Sequence, residues 1–294
     1  MSGMDFDHFV ETAWNEHADR PQAVADRLAA TAATVVRRAE DVAPLARLVA
    51  HVYGEHLGQW VPGVALLESL RTLPVCNAAA TAALNRGIAV LRYAGGDTAA
   101  LAPLKQEDRI AVLATVAAAL VGRGDAPGAL AAYDAALQLA ETGVSPGSPA
   151  LRALAVGGNN LAVALEQMQD RDAESTRGMV AAARSGLRYW KLAGTWLEEE
   201  RAHYRLARSL LEAGDPCAAT KGARHCVDVC QINDAPAFEQ FFGFAVLALT
   251  ERAAGNPVAA DAARAEALRW YGQVPADEQP WCKADLEALG ALSH

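Results

Sequence analysis

The sequence predicts an all-helical protein, and three observations carry that prediction. Alanine is abundant, in runs such as Ala78-Ala79-Ala80 and Ala117-Ala118-Ala119; it is the best helix former and lets helices approach closely. The chain is 52% hydrophobic but only 6% aromatic, which suits a packed core and argues against disorder. A short turn also recurs: "GRGDAPGAL" at 122–130, "EAGDPCAAT" at 212–220 and "AAGNPVAAD" at 253–261.

Each turn reads as one helix ending where the next begins. Gly124, Gly214 and Gly255 suit the left-handed conformation that stops a helix. Asp125, Asp215 and Asn256 suit the cap of the next helix. Pro127, Pro216 and Pro257 fall in its first turn, where a missing N–H costs nothing. Arg123-Gly124-Asp125, an adhesion tripeptide in other settings, is therefore expected to be structural punctuation. The flanks repeat too. Leu113, Val116, Ala117 and Leu120 share one helical face, as do His203, Leu206, Ala207 and Leu210. Phe244, Leu247 and Ala248 precede the third turn, and Leu161, Ala162 and Leu165 lie in the same register.

These residues resemble the tetratricopeptide repeat (TPR). The 110–143 unit matches nearly throughout, with Glu141 where a proline is usual. The 198–231 unit has Ala223 where an aromatic is usual. The 241–274 unit departs at Glu251 and Arg264, which are normally apolar places. Turns at 124, about 169, 214 and 255 are 41 to 45 residues apart, longer than the usual 34. That spacing is similar to the kinesin-light-chain type of repeat. The resemblance implies a right-handed α-solenoid of six or seven antiparallel helix pairs. Ala117, Ala162, Ala207 and Ala248 are then expected to be buried where helices touch.

Length alone would suit about two domains; the repeats suggest one continuous solenoid. Its parts are a divergent helical N-terminal part at 1–109, TPR-like repeats at 110–274 and a capping helix at 275–294. Helix boundaries are expected near Asp19-Arg20-Pro21, Gly58 to Pro62 and Gly95-Gly96-Asp97. The segment 76–108 reads as irregular.

Composition excludes several functions. A formal charge of −9 with no basic run longer than Arg37-Arg38 argues against nucleic-acid binding. The longest apolar run, Ile110 to Val121, is too short to span a bilayer. The acidic start "MSGMDFDHFVETAW" does not read as a signal peptide. Five scattered cysteines suit a reducing cytoplasm.

Apparent catalytic motifs have simpler readings. "GVSPG" around Ser145 matches the nucleophile elbow, which needs a preceding strand; here a helix precedes it, so an inter-repeat loop is expected. Gly122, Gly124 and Gly128 miss the dinucleotide fingerprint. Cys217, His225, Cys226 and Cys230 are the best metal candidate, but Cys226 stands where the repeat wants a small buried residue, and packing is expected. Glu199 and His203, one turn apart, are expected on a solvated face. Trp190, Trp196, Tyr204 and Phe238 to Phe244 suit inter-repeat core or an apolar groove wall.

The resemblance also implies a groove lined by the first helix of each pair. Some members grip a terminal carboxylate there with Asn and Lys/Arg. Asn160 matches the asparagine place, and Arg201 and Arg205 match two basic places; Arg208 extends their face and Tyr204 lies among them. Ala114 and Ala118 occupy the two preceding clamp places, so only part of the clamp is present. The bland alternative is a solvated face with Glu198–Arg201 and Arg208–Glu212 pairs. The expected function is a non-enzymatic scaffold with no cofactor or metal, binding a protein or peptide segment, acidic or carboxylate-terminated. A ligand- or peptide-sensing regulatory subunit is the alternative, and a hydrolase or metal-dependent enzyme is a further one. On this view Arg205→Glu weakens binding and leaves folding intact.

Overall fold

A computed structural model describes residues 5–291. Residues 1–4 of the expected N-terminal part and 292–294 of the expected capping helix lie outside them. The described chain forms fourteen α-helices, and none is long and apolar enough to cross a membrane. Contacts divide it into two compact units that meet between Ala153 and Leu154.

The N-terminal unit begins with α1 (Phe6–Glu16), α2 (Pro21–Val35) and α3 (Ala39–Val49). The last runs directly into a π turn, Ala50–His56, in which Leu57 N–H reaches back five residues to the Val52 carbonyl at 3.2 Å. Gly58 ends it at φ +63°. Then come α4 (Trp60–Leu70), α5 (Ala78–Ala94), a 3-10 turn (Thr98–Leu101), α6 (Gln106–Gly122) and α7 (Ala126–Glu141). Phe9, Leu28, Leu45, Leu48, Leu67 and Leu84 form its buried core. The Tyr53 hydroxyl donates to the Ala25 carbonyl at 2.9 Å, which ties the π turn to α2. The segment 76–108 is more regular than its sequence suggests. Asn77 caps α5 by accepting from Ala80 N–H, and the irregular stretch is confined to 95–105.

The helix α8 (Pro149–Glu166) enters the C-terminal unit. There follow α9 (Ala173–Ala193), α10 (Trp196–Glu212), α11 (Pro216–Ile232), α12 (Ala237–Ala253) and α13 (Pro257–Tyr271). Pro280 sits in a 3-10 turn (Gln279–Cys282), and the terminal helix α14 runs Lys283–Ala291. Within each unit neighbouring helices pack against one another, with α6 on α7, α10 on α11 and α12 on α13 as the closest partners. Ala117, Ala162, Ala207 and Ala248 are all fully buried, as the repeat pattern requires. At such positions the missing side-chain bulk is what lets backbones approach. Gly186 shows the limit: a Cβ there would stand 3.0 Å from the Asn159 backbone nitrogen of α8.

The three turns form as their sequences predict, with one exception. Gly124, Gly214 and Gly255 all have φ near +80°. Asp125 accepts from Gly128 N–H at 2.9 Å, and Asp215 accepts from Ala218 N–H at 3.0 Å. Asn256 does not cap α13. Its amide instead donates to Glu251 Oε2 at 2.8 Å. Glu251 is buried on α12, and Arg224 also donates to it at 2.6 Å. A buried carboxylate needs such donors more than a helix end needs one cap. Glu251 thus explains both its own departure from the repeat pattern and the lost cap. The other departure, Arg264, donates from Nε to the Leu289 carbonyl at 3.0 Å, satisfying an end of α14.

Candidate functional site

Five polar residues of α10 fall at 200, 201, 204, 205 and 208, a spacing that keeps them on one side of a helix. The helix starts cleanly. Thr195 and Glu198 form a reciprocal capping box, and Glu198 accepts from Thr195 N–H at 2.8 Å. What the α10 side chains meet comes from four other helices.

Arg201 forks onto Glu239 of α12, with Nε to Oε2 at 3.3 Å and a second contact through Nη2. Arg205 donates to Glu166 of α8 at 2.8 Å. Arg208 lies between two carboxylates, 3.7 Å from Glu166 and 3.4 Å from Asp285 of α14. The Tyr204 hydroxyl donates to Asp285 at 2.8 Å, and the Arg205 guanidinium sits 5.7 Å from the Tyr204 ring centroid. The arginines are the outer members of these pairs. Arg201 is 55% exposed, whereas Glu239 is 7% and Asp285 is 6%. The carboxylates therefore act as buried anchors that orient the guanidinium forks.

Sequence reasoning located the arginines but not their partners. The bland alternative of a solvated face pairs Arg201 with Glu198 and Arg208 with Glu212. In the structure Arg201 and Arg208 turn to Glu239, Glu166 and Asp285, and Glu212 stands 3.5 Å from Arg171. Asn160 is exposed on α8. The expectation that Arg205→Glu leaves folding intact does not survive this geometry. The substitution would set a second carboxylate against the largely buried Glu166. A signal for the anchors did exist: Glu239 stands among aromatic residues on a helix that is otherwise core.

Behind Arg201 lies Glu200, buried on the α11 side. The Cys226 thiol donates to its Oε1 at 2.9 Å. Burial, and after it the neighbouring Glu239 carboxylate, push Glu200 up to about 8, against the Cys226 hydrogen bond. At neutral pH Glu200 therefore keeps its proton. Cys226 and Cys230 are buried and unbridged, and Cys217 is exposed. The hydrogen bond with Cys230, then burial and the contact with Glu200, raise the Cys226 thiol, which makes it a packing group rather than a nucleophile.

The remaining candidates can be placed one by one. His203 is buried, not solvated as expected, and its Nε2 stands 3.7 Å from Glu199. Burial, then Lys191 and His225, hold it down to about 4, so it is neutral. Phe241 is fully buried, and Phe242 packs edge to face on Phe238, Phe241 and Tyr204 at 4.9–5.7 Å. The aromatic cluster is therefore core. Ser145 lies in a loop with no strand before it. Its N–H donates to Glu107 Oε1 at 3.0 Å, and the Ser148 hydroxyl donates to Oε2 at 2.7 Å.

No family model matches the chain, and no curated protein matches its sequence. Among solved structures, one from Podosopora anserina, assigned as a kinesin light chain with nearly identical TPR-like repeats, is similar to 79% of this chain and covers 93% of its own. The TM-score is 0.50 at 15% identity. A likeness at that identity shows the fold. The chain is an all-α protein of TPR-like antiparallel helix pairs.

Proposed function

We propose that this protein is a non-enzymatic scaffold whose C-terminal unit takes a protein or peptide segment along the α8–α10 face. The observation that carries this is the orientation of three arginines by buried carboxylates. A guanidinium has five donors, and each pair uses only part of them. The forks are pre-set, so an incoming carboxylate meets donors whose rotamer entropy is already spent. Arg201, half-exposed, is the primary contact. Asn160 adds a neutral amide, and Arg205, Arg208 and Tyr204 hold the floor. The ligand is an acidic or carboxylate-terminated segment. A cytoplasmic setting suits the reduced cysteines.

The test is fluorescence anisotropy with labelled acidic hexapeptides carrying free or amidated C-termini. Arg201→Lys keeps the charge that Glu239 needs but loses the planar fork. Asn160→Ala touches no structural pair. Each should weaken the free-carboxylate peptides several-fold, and added salt should weaken wild-type binding. Equal affinity for free and amidated peptides, unchanged in both variants, would refute the assignment.

A further inference from the structure

The N-terminal unit gathers three of the chain's seven histidines at one point. His17 comes from the end of α1; His51 and His56 come from the π turn. In an α-helix residues five apart point about 140° away from each other. Hydrogen bonding five residues back stacks them instead. The π winding therefore brings His51 and His56 together, with ring centroids 4.7 Å apart. His17 lies 4.8 Å from His51 and 5.0 Å from His56. One nitrogen of each ring lies within 4.8 Å of the other two, the only such His/Cys/Asp/Glu grouping among the described residues.

The outer nitrogens are already engaged. His51 Nδ1 is 2.8 Å from the Glu55 carboxylate, and His17 Nδ1 faces the Trp14 carbonyl. An imidazole whose Nδ1–H is held by an acceptor presents Nε2 as a lone pair, the arrangement that orients metal-binding histidines. His51 Nε2 and His56 Nε2 stand 3.1 Å apart. Two imidazole nitrogens on one tetrahedral zinc ion, each bonded at 2.0–2.1 Å, would be separated by about 3.3 Å. Trp14 packs on His17 and His51 at 5.1 Å and forms an apolar wall. Arg123 donates to the His56 carbonyl at 2.9 Å, which fixes the end of the π turn.

We propose that His17, His51 and His56 form a binding site for one divalent transition-metal ion of the zinc type, with Glu55 positioning His51. Three imidazoles and no thiolate suit zinc, copper or nickel; magnesium and calcium want oxygen. Three protein ligands leave a fourth tetrahedral position for an exogenous ligand. The Glu55 carboxylate favours the cation; Arg123, and Arg47 over Trp14, oppose it.

The full chain, stripped with EDTA, is titrated calorimetrically with zinc chloride and followed by absorption with cobalt(II). One zinc per chain is expected. Tetrahedral cobalt bands without a thiolate charge-transfer band should appear, and zinc should raise the melting temperature reversibly. His17→Ala and His56→Ala should each weaken zinc at least 100-fold. Glu55→Gln keeps every imidazole and should weaken it roughly 10-fold. If an alanine variant fails to fold, wild-type stoichiometry and Glu55→Gln decide the matter. The proposal fails if the wild type binds no stoichiometric zinc. It also fails if binding survives His51→Ala/His56→Ala unchanged or is lost in Cys217→Ser.

Discussion

The two units gather polar side chains by opposite means. In the C-terminal unit, α10 keeps regular winding, and its residues at 201, 205 and 208 share a side because α-helical spacing puts them there. In the N-terminal unit, His51 and His56 share a side because the winding is not α-helical. The first arrangement matches guanidinium charges with buried carboxylates. The second places imidazoles side by side. A regular repeat thus builds charge-paired faces, and a local break in it builds a different constellation.

The largest effect should come from the charge-paired face. Arg208 contacts Glu166, Asp285 and the Tyr204 hydroxyl at once. Arg208→Met removes the shared cation from two largely buried carboxylates, and breaking such a pair costs about 3 kcal/mol or more. Urea unfolding should show it as a lower midpoint with an unchanged slope. A cost under about 1 kcal/mol would mean that the face behaves as ordinary solvated surface.

Overpacking comes next. Leu in place of Ala207 or Ala117 should cost about 1–3 kcal/mol, because both are fully buried where paired helices touch. Thermal unfolding that leaves either variant at the wild-type midpoint would contradict that tight crossing.

The pH dependence sharpens the contrast in charge. Glu200, raised to about 8, binds a proton in the folded state that the unfolded chain releases near 4.5. Its stabilisation is complete below about 4.5 and falls as pH rises toward 8. His203, lowered to about 4, runs the other way. Its contribution is complete above about 6.5 and falls as pH drops toward 4. Between pH 6.5 and 8 only the Glu200 slope remains of these two, worth about 1–2 kcal/mol. The melting temperature should fall across that window, and Glu200→Gln should flatten the fall. A flat wild-type profile would show that Glu200 is ionised in the fold.

The smallest effect concerns the turns. Asp125→Ala and Asp215→Ala each remove a cap hydrogen bond and should cost about 1 kcal/mol. Asn256→Asp should destabilise instead, because it sets a carboxylate beside Glu251.

Local chemistry made much of this legible in the sequence. Gly124, Gly214 and Gly255 announce their turns, Asp125 and Asp215 their caps, and the buried alanines follow the repeat register. The three arginines could be placed on one face from their spacing alone. Which carboxylate each one meets could not, because Glu239 lies 38 residues from Arg201 and Asp285 lies 81 from Tyr204; helix packing, not periodicity, decides those meetings. The histidines were hidden for a different reason. A spacing of five reads as divergent under α winding, and nothing local in "LVAHVYGEH" signals the wider turn.

One calorimetric comparison tests the central contrast most directly. Zinc and a free-carboxylate acidic hexapeptide are each titrated into the wild-type chain, His56→Ala and Arg201→Lys. The account predicts that zinc binding is lost only in His56→Ala and that peptide binding is weakened only in Arg201→Lys. Loss of both in one variant, or of neither in either, would contradict the assignment of metal chemistry to the π turn and carboxylate recognition to the α10 face.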